Sequence, residues 1–193
     1  MGFARSSALF LLLGGAMAAR ASAENTVMSI DGRHSSARIS VHMRIPMRAE
    51  GRMSPVTGEL RGNASLGWRV LVKADGRSLH FEGAAWIERV SRSDAFLAVE
   101  RYPAIQFESQ QFTDAVLHKG GPLRGRLTLR GVTHPVGFEL TAASCARVGR
   151  DCPIQVQGSI SRREFGMTSH RATVRDDVDL RIRVRLQQDA SAQ

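Results

Sequence analysis

Lysine is nearly missing from this chain of 193 residues. It occurs only at Lys73 and Lys119, so nearly all of the 27 basic positions are arginine, against 18 acidic ones. The arginines are dispersed, and no run of like charge forms a tail. Such a surface suits anionic lipid or phosphate partners, including peripheral contact with a membrane, and equally serves solubility alone. Aromatic residues are scarce at 6%, with no recognisable nucleic-acid-binding motif, which argues against nucleic acid as a partner. Cysteine is limited to Cys145 and Cys152, which flank "ARVGRD". The lack of C-x-x-C spacing and of an adjacent helix start argues against a redox-active pair, and a structural disulfide between them is expected in an oxidising compartment.

Catalytic and metal-binding patterns are missing too. The six histidines (His34, His42, His80, His118, His134 and His170) never fall at H-x-H or H-x-x-x-H spacing. There is no G-x-S-x-G elbow and no glycine-rich loop between a strand and a helix. Asp176 and Asp177 are adjacent, and on a strand adjacent side chains point to opposite faces. No catalytic residue, metal ligand or cofactor is therefore assigned. After the N-terminal stretch no apolar run is long enough to cross a bilayer, for which about 20 residues are needed.

The first 23 residues carry an early Arg5, an apolar run from Ala8 to about Ala19, and Ala21 and Ala23 in A-x-A order. This reads as a signal peptide cleaved after Ala23, with an uncleaved anchor as the alternative. No cysteine follows the site and no twin arginine precedes the run, so general secretion to the periplasm is expected. Loss of Arg5 and Arg20 lowers the formal charge of +9 by two. Residues 24–193 show no repeat, low-complexity tract or linker and read as one domain.

What is present is strict alternation. "SARISVHMRI" sets Ala37, Ile39, Val41, Met43 and Ile45 opposite Arg38, Ser40, His42 and Arg44. The same period of two recurs in "GWRVLVKA", "AIQFES", "IQVQGSIS" and "DVDLRIRVRL". "LRGRLTLRGVTHPVGFEL" reads as a hairpin with Leu123, Gly125, Leu127 and Leu129 on its oily face, a break over Gly131–Pro135, then Val136, Phe138 and Leu140. "GRMSPVTGEL" is a broken strand whose Pro55 and Gly58 predict an edge, bulge or bend. Only Glu82–Pro103 breaks the alternation. Its composition predicts helix around 82–98, with Ser93 as N-cap of a second piece, "DAFL". Seven or more strands wetted on one face fit an all-β antiparallel barrel or sandwich.

A barrel of about eight strands either fills with side chains or encloses a small guest. The candidate lining is Ile39, Val41, Met43, Trp68, Val70, Phe107, Gly125, Leu127, Leu129, Phe138 and Ile160. Among the small inward positions (Gly125, Gly137 or Ser109, and Gly158), glycine either leaves room for a ligand or lets a strand bend.

The blocks "IDGRHSSARISV", "EGRMSPVTGEL", "SRSDAFLAVERYPAIQFES", "GRLTLRGVTHPVGFEL" and "SRREFGMT" occur in order, with "VRDDVDLRIRVRL" a weaker last one. Together they resemble the YceI-like family of exported bacterial polyisoprenoid-binding proteins. The resemblance implies an elongated, lipocalin-like barrel partly covered by a helical segment. Its interior would hold an isoprenoid lipid of polyprenyl phosphate or quinone type, without a redox cofactor. It also implies architectural roles: Gly131 for the turn, Pro135 for the start of the return strand, Tyr102-Pro103 for delivery into the next strand. "SVHMRI" lacks the Lys-His pair common in such proteins, and the Gly62–Gly67 segment is short, which leaves the head-group preference open. Two further readings stay open: a partner-regulating module with a filled core, and a lipid-modifying enzyme in the same pocket. Oligomeric state is open as well, a homodimer included.

Overall fold

The computed structural model describes residues 25–188, and the expected signal peptide lies outside the described residues. In chain order the strands are β1 (Thr26–Ser29), β2 (Ser36–Met43), β3 (Arg48–Met53), β4 (Val56–Asn63), β5 (Gly67–Asp75) and β6 (His80–Phe81). After helix α1 (Ala85–Arg92) comes β7 (Ala104–Ser109), then helix α2 (Asp114–Lys119). β8 (Gly121–Leu129), β9 (Val132–Leu140), β10 (Ile154–Ser161) and β11 (Val174–Val184) complete the set.

These strands form one antiparallel sheet in the order β1-β4-β5-β7-β8-β9-β10-β11-β2-β3-β6. β3 runs into β4 across only Ser54 and Pro55, so the sheet curls until it meets its own continuation. A bridge from Ile30 to Leu186 ties the β1 side to the end of β11. The result is an elongated, strongly curled barrel, split at one end where β3 and β5 part company. There β6 pairs with β3 through Gly51 and Phe81, and α1 follows directly. Of the edge, bulge or bend expected at Pro55 and Gly58, Pro55 lies in the two-residue link between β3 and β4, where the split closes.

Alternation accounts for the strands. In β8, Leu123, Gly125, Leu127 and Leu129 are buried while Arg124 and Arg126 are exposed. The hairpin turn is tighter than its sequence suggests. Leu129 pairs with Val132, leaving Arg130 (φ 54°) and Gly131 (φ 72°) as a two-residue turn with both residues left-handed, the kind that matches strand twist. Thr133, His134 and Pro135 lie inside β9, and Pro135 sits opposite Arg126 instead of starting the strand. The helical segment is also shorter than expected. α1 ends at Arg92, and Ser93 caps its C-terminal end, its hydroxyl donating to the Val90 carbonyl at 2.7 Å. "DAFL" is a series of turns, because both Phe96 and Ala98 bond back to the Ser93 carbonyl.

Cys145 and Cys152 form the expected disulfide, with Cα atoms 5.9 Å apart, across the loop that joins β9 to β10. Closing so short a loop removes limited entropy from the unfolded chain. The Cys145→Ser, Cys152→Ser double variant is expected to lose about 2 kcal/mol of stability in urea titration, with the cavity described below unaltered.

Candidate ligand-binding cavity

The barrel interior has two unlike halves. At the end away from the split, Ile30, Leu60, Trp68, Phe112, Leu123, Leu140, Val184 and Leu186 are all buried and leave a residual void of only about 40 Å³. Towards the split lies a cavity of about 510 Å³, within the roughly 300–1,000 Å³ typical of small-ligand sites. Small side chains leave this room: Ala37 on β2, Ala49 on β3 and Ala74 on β5 all line it. Phe107 and Phe138, edge to face with centroids 5.3 Å apart, border both halves and form the floor.

Of the residues selected from the sequence, Ile39, Val41, Met43, Phe107, Leu127, Leu129, Phe138 and Ile160 line the larger cavity. Val70 borders the small void below it. Trp68 belongs to the packed end, where its indole N–H donates to Asp114 at 2.9 Å. Gly125 does not open space for a guest. A Cβ there would come within 2.6 Å of the Phe107 ring and would also strike the Glu108 carbonyl. Gly158 stands in the same relation to Phe138, whose Cδ1 would lie 2.5 Å from an added Cβ. The two glycines let the floor rings lie against backbone. Gly137 faces out, with nothing within 4 Å of an added Cβ, and the Ser109 hydroxyl accepts from the Val70 N–H at 2.9 Å.

The roof is α1. Ile87, Val90 and Ser91 face the cavity, with Phe96 and Leu97 from the turns that follow. Glu88 fastens this roof to β6. It accepts from the Phe81 N–H at 3.2 Å, meets His80 at 2.8 Å, and pairs with Arg92 at 2.9 Å. Arg92 in turn donates to the Leu79 carbonyl at 2.6 Å. The Phe81 N–H, with help from Arg92 and His80, holds the Glu88 carboxyl below its ordinary value despite partial desolvation. A lowered folded-state pKa means the clamp is complete above the unfolded pKa and is lost only as pH falls through the lowered value. The contribution of Glu88 to holding the roof is therefore complete throughout the neutral range and is lost in acid. Glu88→Gln is expected to speed amide exchange across 80–92 at pH 7 while leaving β8–β11 protected, as read by exchange mass spectrometry.

The polar groups of the lining, Arg44, Ser91, Arg162, His170 and Thr173, belong to the β2 end, the roof and the segment between β10 and β11, which together form the mouth. Arg162 is 2% exposed. It donates to the carbonyls of Met167 (2.6 Å), Ser169 (2.7 Å), Arg175 (2.9 Å) and Val174 (3.3 Å), and its guanidinium lies 5.6 Å from the Phe96 ring centroid. Burial lowers its pKa, and Asp176 acts in the opposite direction. His170 stacks on the other partner of this cluster, Phe96, at 5.4 Å. Sequence reasoning did not select these mouth residues, although Arg162 sits within "SRREFGMT". Among the described residues no group of three or more His, Cys, Asp or Glu side chains is placed to hold a metal.

Comparison with curated proteins finds no match to the chain. Among solved structures, Burkholderia cenocepacia BcnA is similar with a TM-score of 0.67 and 16% identity, covering 82% of this chain and 99% of that one. A polyisoprenoid binding domain from Saccharophagus degradans implicated in plant cell wall breakdown gives 0.59 and 14%, covering 81% and 95%. A mutant YCEI protein of Campylobacter jejuni gives 0.58 and 20%, covering 72% and 85%. At these identities the structures speak for the fold alone. The YceI-like domain model, however, matches residues 28–186, from the middle of β1 to the residue that bridges to Ile30, and on that match the chain belongs to the YceI-like family of non-catalytic binding proteins.

Proposed function

We propose that this protein is an exported, periplasmic carrier of an isoprenoid lipid, of polyprenyl phosphate or isoprenoid quinone type. The observation that carries the reading is the cavity of about 510 Å³, apolar from floor to roof and polar only at its mouth. The tail lies against Ile39, Val41, Met43, Leu127, Leu129 and Ile160 and ends on Phe107 and Phe138. Each methylene taken from water contributes about 0.8 kcal/mol. The head stays at the mouth near Arg44, Arg162 and His170, where positive charge favours an anionic group over a neutral one. A polyisoprenoid binding domain of similar fold is the precedent for an isoprenoid tail in such a barrel.

A filled core, as a partner-regulating module requires, fits poorly with this void. An enzyme fits poorly with a lining that carries no carboxylate. The test is extraction of the purified mature protein with organic solvent and mass spectrometry of the extract. Near-stoichiometric isoprenoid lipid is expected. No such lipid, together with no binding of added polyprenyl phosphate or quinone, would overturn the reading.

A further inference from the structure

The surface around the mouth differs from the rest of the molecule. Seven large apolar side chains are exposed among the described residues, and three of them stand at the mouth: Ile45 (61% exposed), Met47 (47%) and Trp86 (58%). Ile45 and Trp86 line the cavity at its opening, and Met47 shares the β2–β3 turn with Ile45. The other four are elsewhere, Val27 and Leu66 at the packed end and Tyr102 and Val132 over the β8–β9 turn. The mouth trio is joined by arginines that have no carboxylate partner. Arg171 adjoins Arg44, whose Nε donates to the Arg171 carbonyl at 2.8 Å. Arg89 lies one helical turn from Trp86, on the same side of α1. Neither Arg44, Arg89 nor Arg171 makes an ion pair among the described residues. Segments 44–47 and 168–175 contain no Asp or Glu, and the single carboxylate of α1, Glu88, is already engaged.

We infer that this rim is a docking surface for an anionic phospholipid bilayer. A tryptophan with two aliphatic side chains suits the boundary between head groups and acyl chains, and cations beside them suit lipid phosphates. Charge selects this occupant over a second copy of the chain. A twofold contact through the same patch would bring these arginines against their equivalents, with no free carboxylate in the three segments to meet them. The inference rests on the lipid-carrier reading for its purpose, since docking at the mouth lets a tail pass from bilayer to cavity without crossing water. The contact itself stands on the surface residues.

The test is sedimentation of the mature protein with vesicles of phosphatidylethanolamine and phosphatidylglycerol, against vesicles of phosphatidylcholine alone. We expect binding to the anionic vesicles at least about tenfold tighter, weakening as salt is raised. The variant Met47→Ser, Arg89→Gln, Arg171→Gln alters no residue of the cavity lining. It is expected to lose about tenfold or more of the vesicle binding while keeping its melting temperature and its binding of added polyprenyl phosphate, since the cavity itself is untouched. Three results overturn the inference: a native protein that ignores anionic vesicles, a triple variant that binds them as well as the native chain, or a native dimer that the variant dissolves. Binding to anionic vesicles by a protein with no extractable lipid would sustain the docking and defeat the carrier reading.

Discussion

Replacing Ala74 with phenylalanine is expected to cut the lipid recovered per mole of protein at least about tenfold, with the fold and melting temperature retained. Ala74 lies near the end of β5, pairs with Ile105 and Val56, and lines the cavity between floor and roof. A phenyl ring added here enters open space, so the overpacking cost of about 1–3 kcal/mol that follows insertion into a packed core does not arise. New contacts with the walls stabilise the empty protein while the tail loses its path. The control is Gly125→Ala. Its added Cβ meets the Phe107 ring and a backbone carbonyl, neither of which is a flexible chain end. That variant is expected to lose stability, and to lose lipid only as far as it unfolds. Lipid extraction and thermal melts on the two proteins separate a blocked cavity from a damaged barrel. An Ala74→Phe protein that carries lipid at the native level would place the cargo elsewhere.

The contrast between these two positions also marks how far the sequence could be read. Alternation names the face a residue presents, and it did so well: β7 and β10 coincide with "AIQFES" and "IQVQGSIS", and Leu127 and Leu129 do point inward. It says nothing of depth along the barrel. Trp68, Val70, Val72 and Ala74 share one face of β5, yet Trp68 plugs the packed end and Ala74 borders the cavity. Nor does a small inward residue reveal whether its missing side chain is replaced by a void or by a neighbour. At Gly125 and Gly158 the neighbour is a phenylalanine ring, brought there by strand pairing from elsewhere in the chain. The void instead follows the alanines, which no pattern distinguishes from ordinary strand residues. The mouth was the least legible part. Its groups come from the β2–β3 turn, the turns after α1 and the segment between β10 and β11, where no periodicity applies and long-range contacts set the conformation.

One of those mouth residues carries the largest expected effect on stability. Arg162→Leu is expected to lower stability by about 3–5 kcal/mol, or roughly 10 °C in melting temperature. The guanidinium of Arg162 is the shared donor for four carbonyls spread over residues 167–175. Leucine fills a similar volume but donates nothing, leaving four carbonyls, that of Met167 buried and the others partly so, without their shared donor. Arg162→Lys is expected to recover less than half of the loss. A lysine ammonium is a compact point charge, and it cannot reproduce the planar fork that reaches carbonyls on both sides of the guanidinium. The damage should be local as well as global. Segment 167–175 forms one wall of the mouth and carries Arg171, whose neighbour His170 rests on the same Phe96 ring as the guanidinium. Amide exchange in the Lys variant is therefore expected to rise first across 167–175, ahead of β8 and β9. Uniform exchange over the whole barrel would instead make Arg162 an ordinary core residue, with no particular hold on the mouth.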